Sequence, residues 1–290
     1  MDSSAWLVLR GAVRGVHVAG SFWSFGTMFL AATLLRRHRL PGLKIMAWIS
    51  LGLALLAGFG WFLLQTADFA SAQNFGDVIA AIPIVAQDTR FGTLLIGRCL
   101  ALLLASFFFQ AGWARAAACI AGAAVVAESW LGHGGAMSGP AGIVLLITSI
   151  AHLLGGAIWL GSLPALYLAV RRLQVEAAAT LARDFSPIGI ACVVTIAITA
   201  VIQYFLLIGG PAGLIDTAYG LTASFKIAAL VSLVTLAAIN RTRLTPRLPD
   251  SRTQLLRSIS AEIAIGLVTL LAAGLILQLE PPAMAMMAAH

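Results

Sequence analysis

Three histidines and a methionine stand out in this mostly aliphatic chain as residues that could bind a metal ion. His17, His133 and His152 lie far apart in the sequence, and Met137 follows His133 by four residues in the glycine-rich segment GHGGAM. Imidazole is the commonest protein ligand for metals, and a thioether is selective for soft ions such as Cu(I). The three imidazoles, together with Met137 or Glu128, therefore predict a copper site.

Further methionines could bind or relay the same ion. Met28 lies in the first apolar stretch, and the chain closes on EPPAMAMMAAH. This tail supplies four more candidate ligands, Met284, Met286, Met287 and His290. Our hypothesis is that the tail collects copper and passes it to the three histidines. The alternative is an unstructured end whose composition has no function.

These residues need membrane-spanning helices to position them. The chain of 290 residues is 60% hydrophobic and 10% charged, and one bilayer crossing takes about 20 apolar residues. Apolar stretches predict eight helices, at residues 6–35, 45–66, 91–110, 114–132, 141–169, 185–208, 221–240 and 258–279. Eight crossings account for most of the chain, so we predict a single domain over residues 1–290. The expected fold is an all-α, polytopic integral membrane helix bundle.

Charged residues between the predicted helices indicate the orientation of the bundle. Most lysines and arginines lie in the loops after the first, third, fifth and seventh helices, whereas the opposite loops carry Asp68, Asp77, Asp88 and Asp216. The positive-inside rule places the basic loops in the cytoplasm and both termini outside. The formal net charge of +7 is therefore an orientation signal, and nucleic acid is not an expected partner.

The predicted topology puts the three histidines in one outer layer. His17 lies 19 residues before Arg36, and His152 lies 19 residues before Arg171, which corresponds to about 28 Å of helix in each case. His133 lies at the outer mouth of the fourth helix. Unrelated structural histidines would not be expected to share a depth. Two alternatives remain open: the polar face of the first helix could hold helices together, and a membrane histidine could bond a neighbouring carbonyl.

Other polar residues in the predicted helices favour structural roles. Thr195, Thr199 and Gln203 form a stripe that could be an ion path, although contacts between helices are the favoured interpretation. Lys226 is expected to extend its amine to the membrane surface, and Glu262 is expected to pair with a residue of a basic loop. The cysteines, which form no CxxC motif, are expected to be small buried side chains.

The longest outer segment, residues 68–90, has an apolar middle that Pro83 interrupts. This middle is too short to cross a bilayer. We therefore predict that the segment is interfacial or re-entrant.

Several segments of the chain resemble the CopD/PcoD copper resistance protein D family. They are HLLGGAIWLGSLPAL at 152–166, GHGGAM at 132–137, FSPIGI at 185–190, TAYGLTASFKIAAL at 217–230, AAINRTRLTPRL at 237–248 and SAEIAIG at 260–266. The resemblance covers nearly the whole chain and is weakest in the second and third predicted helices. It implies that the family histidines correspond to His17, His133 and His152. The family often has an acidic residue three positions before the last of these, where this chain has Ser149.

The resemblance implies a multi-pass protein of the bacterial inner membrane that moves copper, with import from the periplasm to the cytoplasm as the expected direction. It also implies a periplasmic copper carrier of the CopC type, which would be a separate protein because no such domain is fused to this chain. Enzymatic chemistry is not expected. Two alternatives remain: a haem-binding redox protein with His17 and His152 as axial ligands, and a membrane partner or sensor that binds copper without moving it.

Overall fold

The computed structural model describes residues 3–38, 40–248 and 250–284, and these residues form helices and connections without any β-strand. The helices are α1 (Ser3–Ala32), α2 (Leu43–Phe69), α3 (Phe75–Asp88), α4 (Arg90–Gln110), α5 (Ala114–Ala127), α6 (His133–Ala136), α7 (Gly139–Arg172), α8 (Val175–Leu207), α9 (Pro211–Ile215), α10 (Ala218–Ile239) and α11 (Arg252–Ile276). The all-α prediction is confirmed.

All eight predicted spans correspond to long helices, namely α1, α2, α4, α5, α7, α8, α10 and α11. Among the described residues, seven helices are long and apolar enough to cross a membrane. α5 is one of them when its 3-10 extension to Leu131 is included. α1 is not among them, although it has 30 residues. Its sequence includes Arg10, Arg14 and His17, which are costly to place in hydrocarbon. The fold is a polytopic membrane bundle.

Two predicted helix starts were wrong. α8 begins at Val175 rather than at residue 185, and α11 begins at Arg252 rather than at residue 258. The added turns carry charged side chains, such as Glu176 and Arg257. An apolar stretch marks only the part of a helix that suits hydrocarbon, so it misses turns that continue into a polar environment.

The outer segment folds into α3, a helix of 14 residues that contains Pro83 and is too short to span a membrane. Asn74 caps it: the Asn74 side chain accepts from the Asp77 backbone N–H at 3.2 Å, and the Asp77 carboxylate accepts from the Asn74 N–H. Phe75 and Ile84 are exposed along the helix. The prediction of a non-spanning segment holds, and its place at the membrane surface stays a prediction.

α1 lies at the centre of the bundle, packed against α2, α5, α7 and α11. Glycines allow the closest of these approaches. A Cβ atom at Gly26 would lie 2.0 Å from the carbonyl carbon of Gly161 in α7, and one at Gly274 in α11 would lie 2.1 Å from the Gly11 oxygen. Ser162 strengthens the first crossing by donating to Gly26 O at 3.2 Å. Arg14, His17, Ser21, Ser24 and Thr27 of α1 are buried in this packing.

Candidate metal centre

A buried ionic cluster joins α1, α4 and the end of α5. Arg14 Nη2 donates to Glu128 Oε1 at 2.9 Å and to Leu131 O at 3.0 Å, and Arg98 forms an ion pair with the other carboxylate oxygen. Arg98 Nε also donates to Ala124 O at 2.8 Å. Arginines engage both oxygens of Glu128, so in this arrangement the predicted ligand Glu128 has no oxygen free for a metal ion.

His17 is fully buried beside this ionic cluster. Its Nδ1 lies 2.7 Å from Ala54 O, and because a carbonyl can only accept, Nδ1 carries the proton. Nε2 therefore keeps its lone pair, and it has no hydrogen-bond partner. The ring lies 5.8 Å from the ring of Trp61, which also contacts the Arg14 guanidinium. His17 has a tautomer suited to metal binding, but protein encloses it.

His133 and His152 line one cavity of about 260 Å³ at a different face of α1. Side chains of α1, α7, α8, α10 and α11 surround the cavity. Its polar lining consists of Glu128, Ser129, His133, Ser149, His152, Gln203, Tyr204, Tyr219, Lys226 and Thr269. Most of the remaining lining is aliphatic or aromatic. The structure thus brings two of the three predicted histidines to the same space.

Thr199 of α8 fixes the tautomer of His152. The Thr199 hydroxyl lies 2.9 Å from His152 Nδ1 and donates its own proton to the backbone carbonyls of Thr195 and Ile196. The hydroxyl is therefore the acceptor toward the imidazole, and His152 Nδ1 carries the proton. This leaves the Nε2 lone pair of His152 available, as in a metal-binding histidine whose other nitrogen donates to a neighbour.

His133 presents the same form of imidazole. The ring makes a backbone hydrogen bond to Ile276, and its Nε2 has no hydrogen-bond partner. Burial lowers the pKa of His133 below its ordinary value, so the imidazole stays neutral at neutral pH. The ring also lies 5.8 Å from that of Tyr219. His133 is thus a neutral imidazole with a ring nitrogen available to a metal ion.

The predicted thioether ligands have different surroundings. Met137 and Met284 pack against an apolar cluster formed by Leu145, Leu207, Ile208, Tyr219 and Ile276, which also line the cavity. Met28 is fully buried in the main core. The tail residues Met286, Met287 and His290 lie outside the described residues. Two of the predicted sulfur ligands therefore pack against a wall of the cavity.

Over the part of the chain that the structure describes, no three His, Cys, Asp or Glu side chains are grouped closely enough to hold a metal ion. His17 does not line the cavity that His133 and His152 share. The three imidazoles accordingly do not form one preassembled site. For the same reason, His17 and His152 do not face a common space as the proposed axial ligands of a haem would.

Several polar side chains differ from their predicted positions. Lys226 was predicted to extend its amine to the membrane surface, and the structure places it in the lining of the cavity. Glu262 accepts from Asn240 Nδ2 at 2.6 Å, so its partner is the first residue of the basic loop NRTRLTPRL and not an arginine such as Arg257. Thr199 links α7 to α8, as favoured for the polar stripe. Arg98 was not singled out, although an arginine inside an apolar run signals a buried partner.

The three cysteines are all free, but they are not all buried. Cys192 is buried and Cys99 is partly exposed, whereas Cys119 is exposed. The prediction of three buried side chains was therefore wrong for Cys119. Its position on α5, which has lipid-facing as well as packed sides in a membrane bundle, accounts for the difference.

Comparison with known proteins places these features in a family. The model named Copper resistance protein D-like, N-terminal domain matches residues 3–143, and the model named Copper resistance protein D matches residues 178–276. The curated protein Copper transport protein CutJ of Bacillus subtilis (strain 168) is 29% identical over 162 residues, which are 54% of this chain and 29% of that relative. The chain thus spans less than a third of the length of that relative. No solved structure matches the chain. The chain belongs to the copper resistance protein D family.

Proposed function

We propose that this protein carries copper across the membrane through the cavity that His133 and His152 line. The observation that supports the proposal is a pair of imidazoles from α6 and α7 that line one cavity: Nε2 of His133 has no hydrogen-bond partner, and Nδ1 of His152 is held by Thr199. An ion cannot cross hydrocarbon with its water shell, so protein ligands have to replace the water and then release the ion. Two neutral imidazoles can bind a soft ion reversibly.

The proposed direction is inward across the bacterial inner membrane. His133 lies just before α7, at the end of the bundle that the positive-inside rule assigns to the periplasm. Gly134, the residue after His133, packs against the turn of α7 before His152, since a Cβ atom at Gly134 would lie 3.2 Å from Ser149 Oγ. Copper from the periplasm would therefore meet His133 first, and His152, one turn deeper than Ser149, would join it as the second ligand.

Delivery would come from a periplasmic copper carrier of the CopC type. Met137 and Met284 pack against the apolar wall of the cavity, where their thioethers could receive the ion. Removing the residues after Pro282 tests whether the Met/His tail takes part. Reduced copper uptake at limiting copper would support a role for the tail, and unchanged uptake would dismiss it.

The central test compares the wild type with the His133→Ala/His152→Ala double variant. We expect the double variant to lose bound Cu(I) and to lose copper uptake into proteoliposomes. His38→Ala is the matched control, because it removes a histidine that does not line the cavity and should leave both measurements unchanged.

The outcomes of this test separate the alternatives. Equal copper binding and uptake in the wild type and the double variant would contradict the proposal. Loss of binding together with normal copper accumulation in cells would favour a partner or sensor that does not move copper. An optical spectrum with a Soret band in the purified wild type would favour the haem-binding alternative.

A further inference from the structure

We propose that copper enters this cavity together with a small anion, which pairs with Lys226 and completes the ligand set of the ion. The inference rests on the proposed function, because it specifies the form in which the same cavity takes its substrate. The anion belongs to the class of soft monoanions, and the experiment below uses chloride.

The first argument is the charge of the cavity wall. Among the described lining residues, the charged ones are Glu128 and Lys226. Two arginines, Arg14 and Arg98, already pair with Glu128, so this cluster has a net charge of +1. Lys226 forms no ion pair with any described Asp or Glu. The wall is therefore net positive before any copper arrives.

The second argument is the electrostatic cost of a bare copper ion in this space. The two imidazoles are neutral ligands, so Cu⁺ would add a positive charge beside the ammonium of Lys226. Most of the lining is apolar, and like charges repel more strongly where the surroundings have a low dielectric constant. A bound anion removes this cost because it neutralises one of the two cations.

The third argument is the number of ligands and the space available. Among the described lining residues, Glu128 is the one other His, Cys, Asp or Glu side chain, and its oxygens already pair with Arg14 and Arg98. The cavity of about 260 Å³ has room for more than an ion held by two rings. A halide is a soft ligand for Cu(I) and also accepts hydrogen bonds from an ammonium group. One anion thus supplies both the missing ligand and the missing negative charge.

The positive wall would also make the pathway selective. Positive groups in a narrow pathway repel protons and other bare cations. Copper that carries its own anion has little or no net charge, so the wall does not repel it. Lys226 would therefore exclude other cations while it stabilises the copper complex. Neither electron transfer nor proton transfer is needed for this step.

The experiment measures Cu(I) affinity of the full chain in lipid nanodiscs under anaerobic conditions, in chloride buffer and in nitrate buffer. We expect the wild type to bind copper about tenfold more weakly in nitrate, since a charge-assisted contact is lost. Lys226→Met should remove the dependence on chloride, whereas Lys226→Arg, which keeps the charge, should retain it. X-ray absorption at the copper edge should show chlorine beside nitrogen in the wild type.

Replacement of chloride by bromide gives a second test that needs no variant. Copper bound to the wild type should then acquire a bromine neighbour. Equal affinity in both buffers, with nitrogen neighbours alone, would overturn the anion inference while leaving copper binding by the histidines intact. Copper that binds equally to the wild type and to the His133→Ala/His152→Ala variant would instead overturn the proposed function.

Discussion

The two sides of α1 accommodate polar residues in opposite ways. Toward α4 and α5, Arg14, Arg98 and Glu128 form a closed cluster in which each charge has a partner from the same chain. Toward α7 and α8, His133 and His152 line a cavity, and Nε2 of His133 has no hydrogen-bond partner. An unpartnered polar group inside a membrane costs several kcal/mol. The polar residues of the ionic cluster have partners within the chain and stabilise the bundle. The histidines that line the cavity are available to bind a ligand.

The strongest test of this comparison removes the charge from the closed cluster. Glu128→Gln would leave two buried arginines without an anion, and loss of one partner from a buried ion pair costs about 3–5 kcal/mol. We expect a loss of this size in the free energy of unfolding, measured by denaturant titration in mixed micelles. Glu176→Gln removes an exposed carboxylate and serves as the control. Equal stability of the two variants would show that the cluster does not hold the bundle together.

A second test enlarges a residue at the contact between α1 and α11. Gly274→Ala places a methyl group 2.1 Å from the Gly11 oxygen, so the two helices have to separate. We expect thermal unfolding to report a loss of up to about 3 kcal/mol. Gly52→Ala, where no atom lies within 4 Å of the new Cβ, should not destabilise the protein. A stable Gly274→Ala variant would contradict the close packing of α1.

A third test acts on the cavity side and should alter binding more than stability. Thr199→Val removes the acceptor of the His152 Nδ1 proton, and loss of such a supporting contact weakens metal binding by about tenfold or more. Competition with a chromogenic Cu(I) chelator measures the change. Thr195→Val, one turn earlier on α8, is the matched control because its hydroxyl bonds only to Ala191 O. Identical affinities in the two variants would argue against His152 as a ligand.

The smallest effect is expected for the more exposed ion pair that α1 forms with α2. Arg10 and Asp68 form an ion pair in which the carboxylate side chain is 38% exposed. Water screens such pairs, and they contribute about 0–1 kcal/mol. Asp68→Asn should therefore change the free energy of unfolding by less than about 1 kcal/mol. A loss as large as that of Glu128→Gln would mean that burial does not explain the difference between the two pairs.

The sequence was sufficient to predict the helices but not the two sides of α1. Helix number follows from the length of apolar stretches, and depth follows from the distance to a basic loop. These distances place His17 and His152 at similar depths in the membrane. They give no information about how each helix is rotated about its axis. Rotation decides that His17 faces Ala54 while His152 faces the cavity. It also decides that Lys226 lines the cavity.

The ionic cluster was beyond prediction for a different reason. Its members come from three helices, and Arg14 and Glu128 are separated by 114 positions. Sequence spacing identifies neighbours within one helix, but it carries no information about which distant helices meet. An arginine within an apolar stretch, such as Arg98, indicates that a partner exists without indicating which residue it is.

The polarity of α1 has a consequence for the synthesis of the protein. α1 leaves the ribosome first among the described helices, yet it is less suited to lipid than the seven other long helices. The carboxylate that neutralises Arg14 is made 114 residues later. α1 therefore reaches its central position only after α5 has been synthesised, and until then the insertion machinery or the aqueous phase has to shelter its arginines. Defects in Glu128 should accordingly appear in cells as failed assembly and rapid degradation, before any effect on copper can be measured.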